Sequence, residues 1–169
     1  MIWSILEHTP LWVWALFFGL VLLGIYQTRT LEVSRARATI LPIFMIGLSL
    51  NGVLGAFGPV PIPLGAWVLG FWAALPTLGR LVSARGASWS ATTARFRVPG
   101  SSVPPILIAG VFVCRYAGGA SLAIDPHLAA NTTFAGLLSL LYGFFAGLFW
   151  ARARSLQRLV RGGTVAQPA

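Results

Sequence analysis

The fold class predicted by this sequence is an all-α integral membrane protein. It reads as a bundle of about five transmembrane helices, N-terminus outside and C-terminus in the cytoplasm. Three observations lead there. Hydrophobic residues make up 57% of the 169 and charged residues 9%, against roughly 25% charged in a soluble domain. Mean hydropathy is +0.81. The apolar residues gather in five runs, and the arginines fall in alternate loops between them.

The chain opens with residues 1–10, read as a periplasmic segment that could lie along the interface as a short helix before Pro10 turns inward. The first run is residues 11–26, with Pro10 at its start, where a missing N–H costs nothing. The second is 38–57. The third, 62–78, is shorter and holds Pro76 near its end. The fourth, 103–124, opens after Ser101 and Ser102 with Pro104 and Pro105, a cap followed by proline. The fifth is 131–151. These lengths suit a bilayer core of ~30 Å, which takes roughly 17 to 25 helical residues; the first and third sit at the short end. The runs are continuously apolar and lack the alternation of a membrane barrel, so strands are not expected. Residues 79–102, rich in Ser, Ala, Thr and Gly, read as a flexible cytoplasmic loop near anionic phospholipid headgroups, and 152–169 as a basic cytoplasmic tail.

Loop charge sets the orientation. Arg29, Arg35 and Arg37 follow the first run; Arg80, Arg85, Arg95 and Arg97 follow the third; Arg152, Arg154, Arg158 and Arg161 follow the fifth. These eleven of the twelve basic residues share one side, and cytoplasmic loops are the arginine-rich ones. The opposite loops, around residues 58–63 and 125–127, carry none. A net charge of +9 is therefore a topology signal, and nucleic acid is not an expected partner. Trp3, Trp12 and Trp14 at the outer end of the first run and Trp150 at the inner end of the fifth suit the interfaces. With one cysteine, Cys114, no internal disulfide can form.

The twelfth arginine, Arg115, lies inside the fourth run. Such a charge costs about 2.5–3.5 kcal/mol to insert and requires a partner inside the bundle. Glu7 and Asp125 are the acids on the outer side, and Asn51 is a neutral alternative. These four residues, with Tyr116, form a candidate substrate-binding set for an anionic solute or lipid head; the bland alternative makes Arg115 a structural pin. His8 and His127, beside Glu7 and Asp125, are weak metal candidates whose spacing matches no established ligand pattern. No catalytic residue and no cofactor is expected: the sequence has no G-x-S-x-G, H-E-x-x-H, Walker loop or C-x-x-C. Small residues recur at four-residue steps: Gly47, Asn51 and Gly55; Ala66, Gly70 and Ala74; Gly110, Cys114 and Gly118; Gly143 and Gly147, with Gly136 seven residues earlier. This is the pattern of close helix approach, and Gly143 with Gly147 is also a possible homo-oligomer face.

The segments HTPLWVWALFFGLVLLGIYQTRT and FRVPGSSVPPILIAGVFVCRY resemble a family of small, uncharacterised multi-spanning proteins from proteobacteria. Arg97 to Ser101, RVPGS, is the most specific piece; Pro99 and Gly100 turn the chain and a serine caps the fourth span. The resemblance implies a bacterial inner-membrane protein and brings no activity, substrate or site residue. The expected function is a non-enzymatic accessory or small-solute permeation protein centred on Arg115. The alternative is a membrane enzyme acting on a lipid or envelope substrate at the periplasmic face.

Overall fold

A computed structural model of the chain describes residues 29–77, 86–90 and 92–161, together with Phe18, Gly19 and Leu22. Apart from those three residues, the expected first span lies outside the described residues, as do the N-terminal segment with Glu7 and His8, the tail from residue 162, and Arg80 and Arg85. The elements run β1 (Leu31–Ser34), α1 (Arg35–Phe57), α2 (Pro61–Thr77), β2 (Ser88–Ser90), β3 (Arg95–Val98), α3 (Val103–Ile124), a 3-10 turn (Pro126–Ala130) and α4 (Thr132–Arg161). The described part is thus mostly helical. Among the described residues three helices, α1, α3 and α4, are long and apolar enough to cross a membrane.

The helix boundaries follow from local chemistry. Ser34 caps α1 by accepting a hydrogen bond from the Arg37 amide at 3.3 Å. Gly58, at φ 70°, ends that helix in a conformation that suits glycine, and its amide donates to the Leu54 carbonyl at 2.9 Å. Pro59 and Pro61 prevent continuation and start α2 after a three-residue turn. Ser101 accepts from the Val103 amide at 3.2 Å, so α3 begins at the residue the sequence predicts. Asp125 accepts from the His127 amide at 3.0 Å and so caps the 3-10 turn that leads into α4.

Helix α4 organises the bundle, packing against α1, α2 and α3. Its buried residues include Ala135, Ser139, Tyr142, Ala146, Phe149, Ala153 and Leu156, alternating steps of four and three along one face. That seam is the 3.5-residue period of helices packed side by side. By contrast, α1 and α3 turn large apolar side chains outward, among them Phe44, Ile106 and Val113. In water this would be costly, whereas in lipid it is the expected exterior.

Glycines set the α2–α4 spacing. A Cβ at Gly143 would collide with the Trp67 carbonyl oxygen, one at Gly147 with the Phe71 carbonyl oxygen, and one at Gly70 with the Leu140 carbonyl oxygen. The two backbones are therefore in direct contact. Gly143 and Gly147, expected also as an oligomer face, are occupied by α2 of the same chain. Gly47, Gly55 and Gly136 have open space at the Cβ position, so equal spacing does not mean equal packing.

The main departure from expectation is a three-stranded antiparallel sheet, in the order β1-β3-β2. Two of its strands lie within residues 79–102, expected to be a flexible loop. The register pairs Val33 with Phe96 and Trp89 with Phe96, so apolar residues from all three strands share one face. Phe96 is fully buried, its ring 4.7 Å from that of Trp89, and it packs in one cluster with Ala38 and Leu156. Glu32 and Arg97 pair across the exposed face, and Glu32 also meets Arg95 at 3.6 Å. The second departure explains the first. Instead of stopping near residue 151, α4 runs to Arg161, and Leu156, Leu159 and Val160 supply the surface on which the sheet folds.

Candidate functional site

Arg115 sits on α3 about 18 Å from the helix start at Val103, near the middle of its length. Its guanidinium Nη1 donates to the Leu48 carbonyl oxygen of α1 at 3.0 Å. Its Cζ lies 5.8 Å from the centroid of the Tyr142 ring on α4, within cation–π range. The guanidinium fits there because residue 52 is glycine: a Cβ at that position would come 2.5 Å from Nη1. One side chain therefore joins three helices, and a carbonyl that already accepts a helical bond uses its second lone pair for the charge.

The surroundings are tight. Beside Arg115 a cavity of about 10 Å³, lined by Met45, Ser49, Val111 and Ala146 among others, has room for about one water. Nearby, Trp67 Nε1 donates to Ser49 Oγ at 2.9 Å, and Ser49 Oγ donates to the Tyr142 carbonyl oxygen at 2.8 Å. This chain ties α2, α1 and α4 at mid-depth, and each bond contributes about 1 kcal/mol. Further along, Gln157 Nε2 donates to Thr39 Oγ1 at 2.8 Å, linking the far part of α4 to the first turns of α1. Ser139, fully buried on α4, has no hydrogen-bond partner among the described residues.

Of the residues expected to surround Arg115, the described ones are not assembled there. Asn51 is exposed on α1, one position from Gly52, whereas the Arg115 guanidinium donates to the Leu48 carbonyl one turn earlier on the same helix. Asp125 is exposed at the end of α3 and caps the following turn. Tyr116 is half-buried, its ring stacked with Phe112 at 6.3 Å. His127 contributes its backbone amide to the Asp125 cap, and no group of three or more metal-ligating side chains occurs among the described residues. Glu7 and His8 lie outside them. The partners that do appear, the Leu48 carbonyl, Gly52 and the Tyr142 ring, were not singled out from the sequence. A carbonyl has no sequence signature; a glycine and a tyrosine facing one another across two helices have only a faint one.

Away from this mid-depth site, the other described arginines gather at the end of the bundle that carries the sheet. Arg29, Arg35 and Arg37 lie at the start of α1, Arg95 and Arg97 on β3, and Arg152, Arg154 and Arg158 on the last turns of α4. The turns at the other end, residues 58–60 and 125–131, hold no arginine.

Among curated proteins and solved structures, nothing matches the chain. The profile of one protein family covers residues 1–167, nearly the whole sequence, and agrees with the resemblance to uncharacterised proteins carried by the RVPGS segment. The chain belongs to the family of unknown function DUF6622.

Proposed function

We propose that the chain is a five-spanning protein of a bacterial inner membrane, N-terminus outside and C-terminus in the cytoplasm, acting as a non-enzymatic accessory rather than a permeation path. The observation that carries this reading is what Arg115 is bonded to. Its guanidinium is engaged by the Leu48 carbonyl and the Tyr142 ring, beside a cavity of about 10 Å³. A group that binds a passing solute needs a water-filled route to it, and a charge held by its own backbone is a pin. The orientation is supported by the arginines gathered at the sheet-bearing end, the pattern of a cytoplasmic face.

The test is flux across proteoliposomes. Vesicles carrying the purified protein should release chloride and phosphate no faster than protein-free vesicles. Release that depends on Arg115, abolished by Arg115→Met in a well-folded variant, would overturn the accessory reading in favour of permeation. Fusions at the C-terminus read the orientation separately: alkaline phosphatase should be silent and green fluorescent protein bright, and the reverse would refute it.

A further inference from the structure

At the sheet-bearing end, α1 and α3 stand apart on either side of α4, and the gap between them opens as a groove of about 160 Å³. Its walls are of two kinds. Leu41, Ile108, Phe149 and Leu156 are apolar, whereas Arg29, Arg37 and Arg152 bring three positive charges. The lining includes one acid, Glu32, which lies 3.6 Å from Arg95. The groove therefore carries a formal +2, three arginines less one glutamate. Two helices also begin here, α1 at Arg35 and α3 at Val103, so the positive ends of two dipoles point the same way. The β1 and β3 residues Leu31, Val33 and Val98 form its roof.

We infer that this groove binds the phosphate headgroup of an anionic phospholipid from the adjoining leaflet. The occupant follows from three features together. The positive charge selects an anion, and guanidinium forks match phosphate oxygens. The apolar wall continues onto the exposed Leu41 and Phe44 of α1, so an attached acyl chain can run down the outside of the bundle. Finally, the groove lies where α1, α3 and α4 meet the arginine-rich end, the level at which headgroups sit on a spanning bundle. A soluble anion would use the charge and leave the apolar wall unused. The inference rests on the membrane placement proposed above. Topology fusions read that placement and lipid binding reads the site, so the two fail separately.

The experiment is native mass spectrometry of the full-length protein in detergent. It is titrated with dioleoyl-phosphatidylglycerol, with dioleoyl-phosphatidylcholine of the same chains, and with inorganic phosphate. Phosphatidylglycerol should bind at least about 25-fold more tightly than phosphatidylcholine, as expected where two or three basic side chains contribute about fivefold each. Arg29→Gln with Arg37→Gln, both exposed side chains, should weaken it about 25-fold on the same basis. Removing the same charge off the groove, by Arg154→Gln with Arg158→Gln, should change it less than about twofold. Glu32→Gln should strengthen binding about fivefold, a gain that misfolding cannot imitate. Equal loss in both double variants, no loss in the groove variant, or displacement of the lipid by inorganic phosphate would each overturn the proposal.

Discussion

The contact between α2 and α4 makes a demanding prediction at Gly143. Substituting alanine adds one methyl group, and a Cβ there would collide with the Trp67 carbonyl oxygen. That atom is backbone, so a rotamer change cannot relieve the overlap and the helices must separate. Overpacking of this kind costs about 2 kcal/mol. Separation also strains the relay that links α2 to α4 through Ser49 of α1, whose Trp67–Ser49 and Ser49–Tyr142 bonds are now 2.9 and 2.8 Å, and loss of one or both costs about 1–2 kcal/mol more. Against this stands the higher helix propensity of alanine, a gain of about 1 kcal/mol. The expected net loss is about 2–3 kcal/mol, or about 6–9 °C in apparent Tm for a chain of this size. Tryptophan fluorescence in detergent micelles reads it. Gly136→Ala is the control: it lies on the same helix seven residues earlier, and nothing stands within 4 Å of its Cβ position. It should hold or raise Tm. A Gly143→Ala protein melting at or above wild type would refute the direct backbone contact. Loss of a dimer with unchanged monomer stability would instead assign Gly143 to a contact between copies.

Three further outcomes follow from other parts of the molecule. Gly52→Ala should lower Tm in the native background by displacing the guanidinium from Leu48, yet be neutral or stabilising by up to about 1 kcal/mol combined with Arg115→Met; a cycle of apparent Tm values in detergent reads this coupling. Phe96→Ala should cost about 3–5 kcal/mol where the sheet meets α4, seen as faster proteolysis of residues 86–98 while the helical circular dichroism signal persists. Asp125→Ala should lose the turn cap, about 1 kcal/mol, and leave lipid binding unchanged, as native mass spectrometry would report.

Much of the helical framework was legible in the sequence because long apolar runs are a signal integrated over some twenty residues. The fourth run is predicted as 103–124 and α3 is Val103–Ile124, since serine and proline punctuate its start and Asp125 its end. The sheet was not legible for the opposite reason. Its strands are three or four residues each, and β1 pairs with a segment more than sixty residues away. Their alternation is visible afterwards, Leu-Glu-Val-Ser against Arg-Phe-Arg-Val, but four residues cannot outweigh a Ser- and Gly-rich context. Arg115 shows the same division. Its cost inside an apolar run is plain from the sequence, whereas its partner is a backbone carbonyl, which every residue has. The four-residue glycine steps locate close packing in general. Only the structure separates Gly70, Gly143 and Gly147, pressed against a neighbouring backbone, from Gly47, Gly55 and Gly136 in open space.

The sheet also counts membrane crossings without reference to charge. Strands joined by backbone hydrogen bonds must lie in one compartment, since no bilayer can pass between them. The pairing of Leu31 with Val98 therefore fixes the two ends of the segment 35–94 on the same side. That segment can cross an even number of times and no other. If α1 crosses, α2 must return, although its 17 residues rise only about 26 Å. Phe96 packed with Leu156 extends the rule, because the far part of α4 is held beside the same strand. If α1 and α3 both cross, the helices from α1 to α4 would insert as two closed hairpins, and a slipped span would have to unfold the sheet before it could change sides.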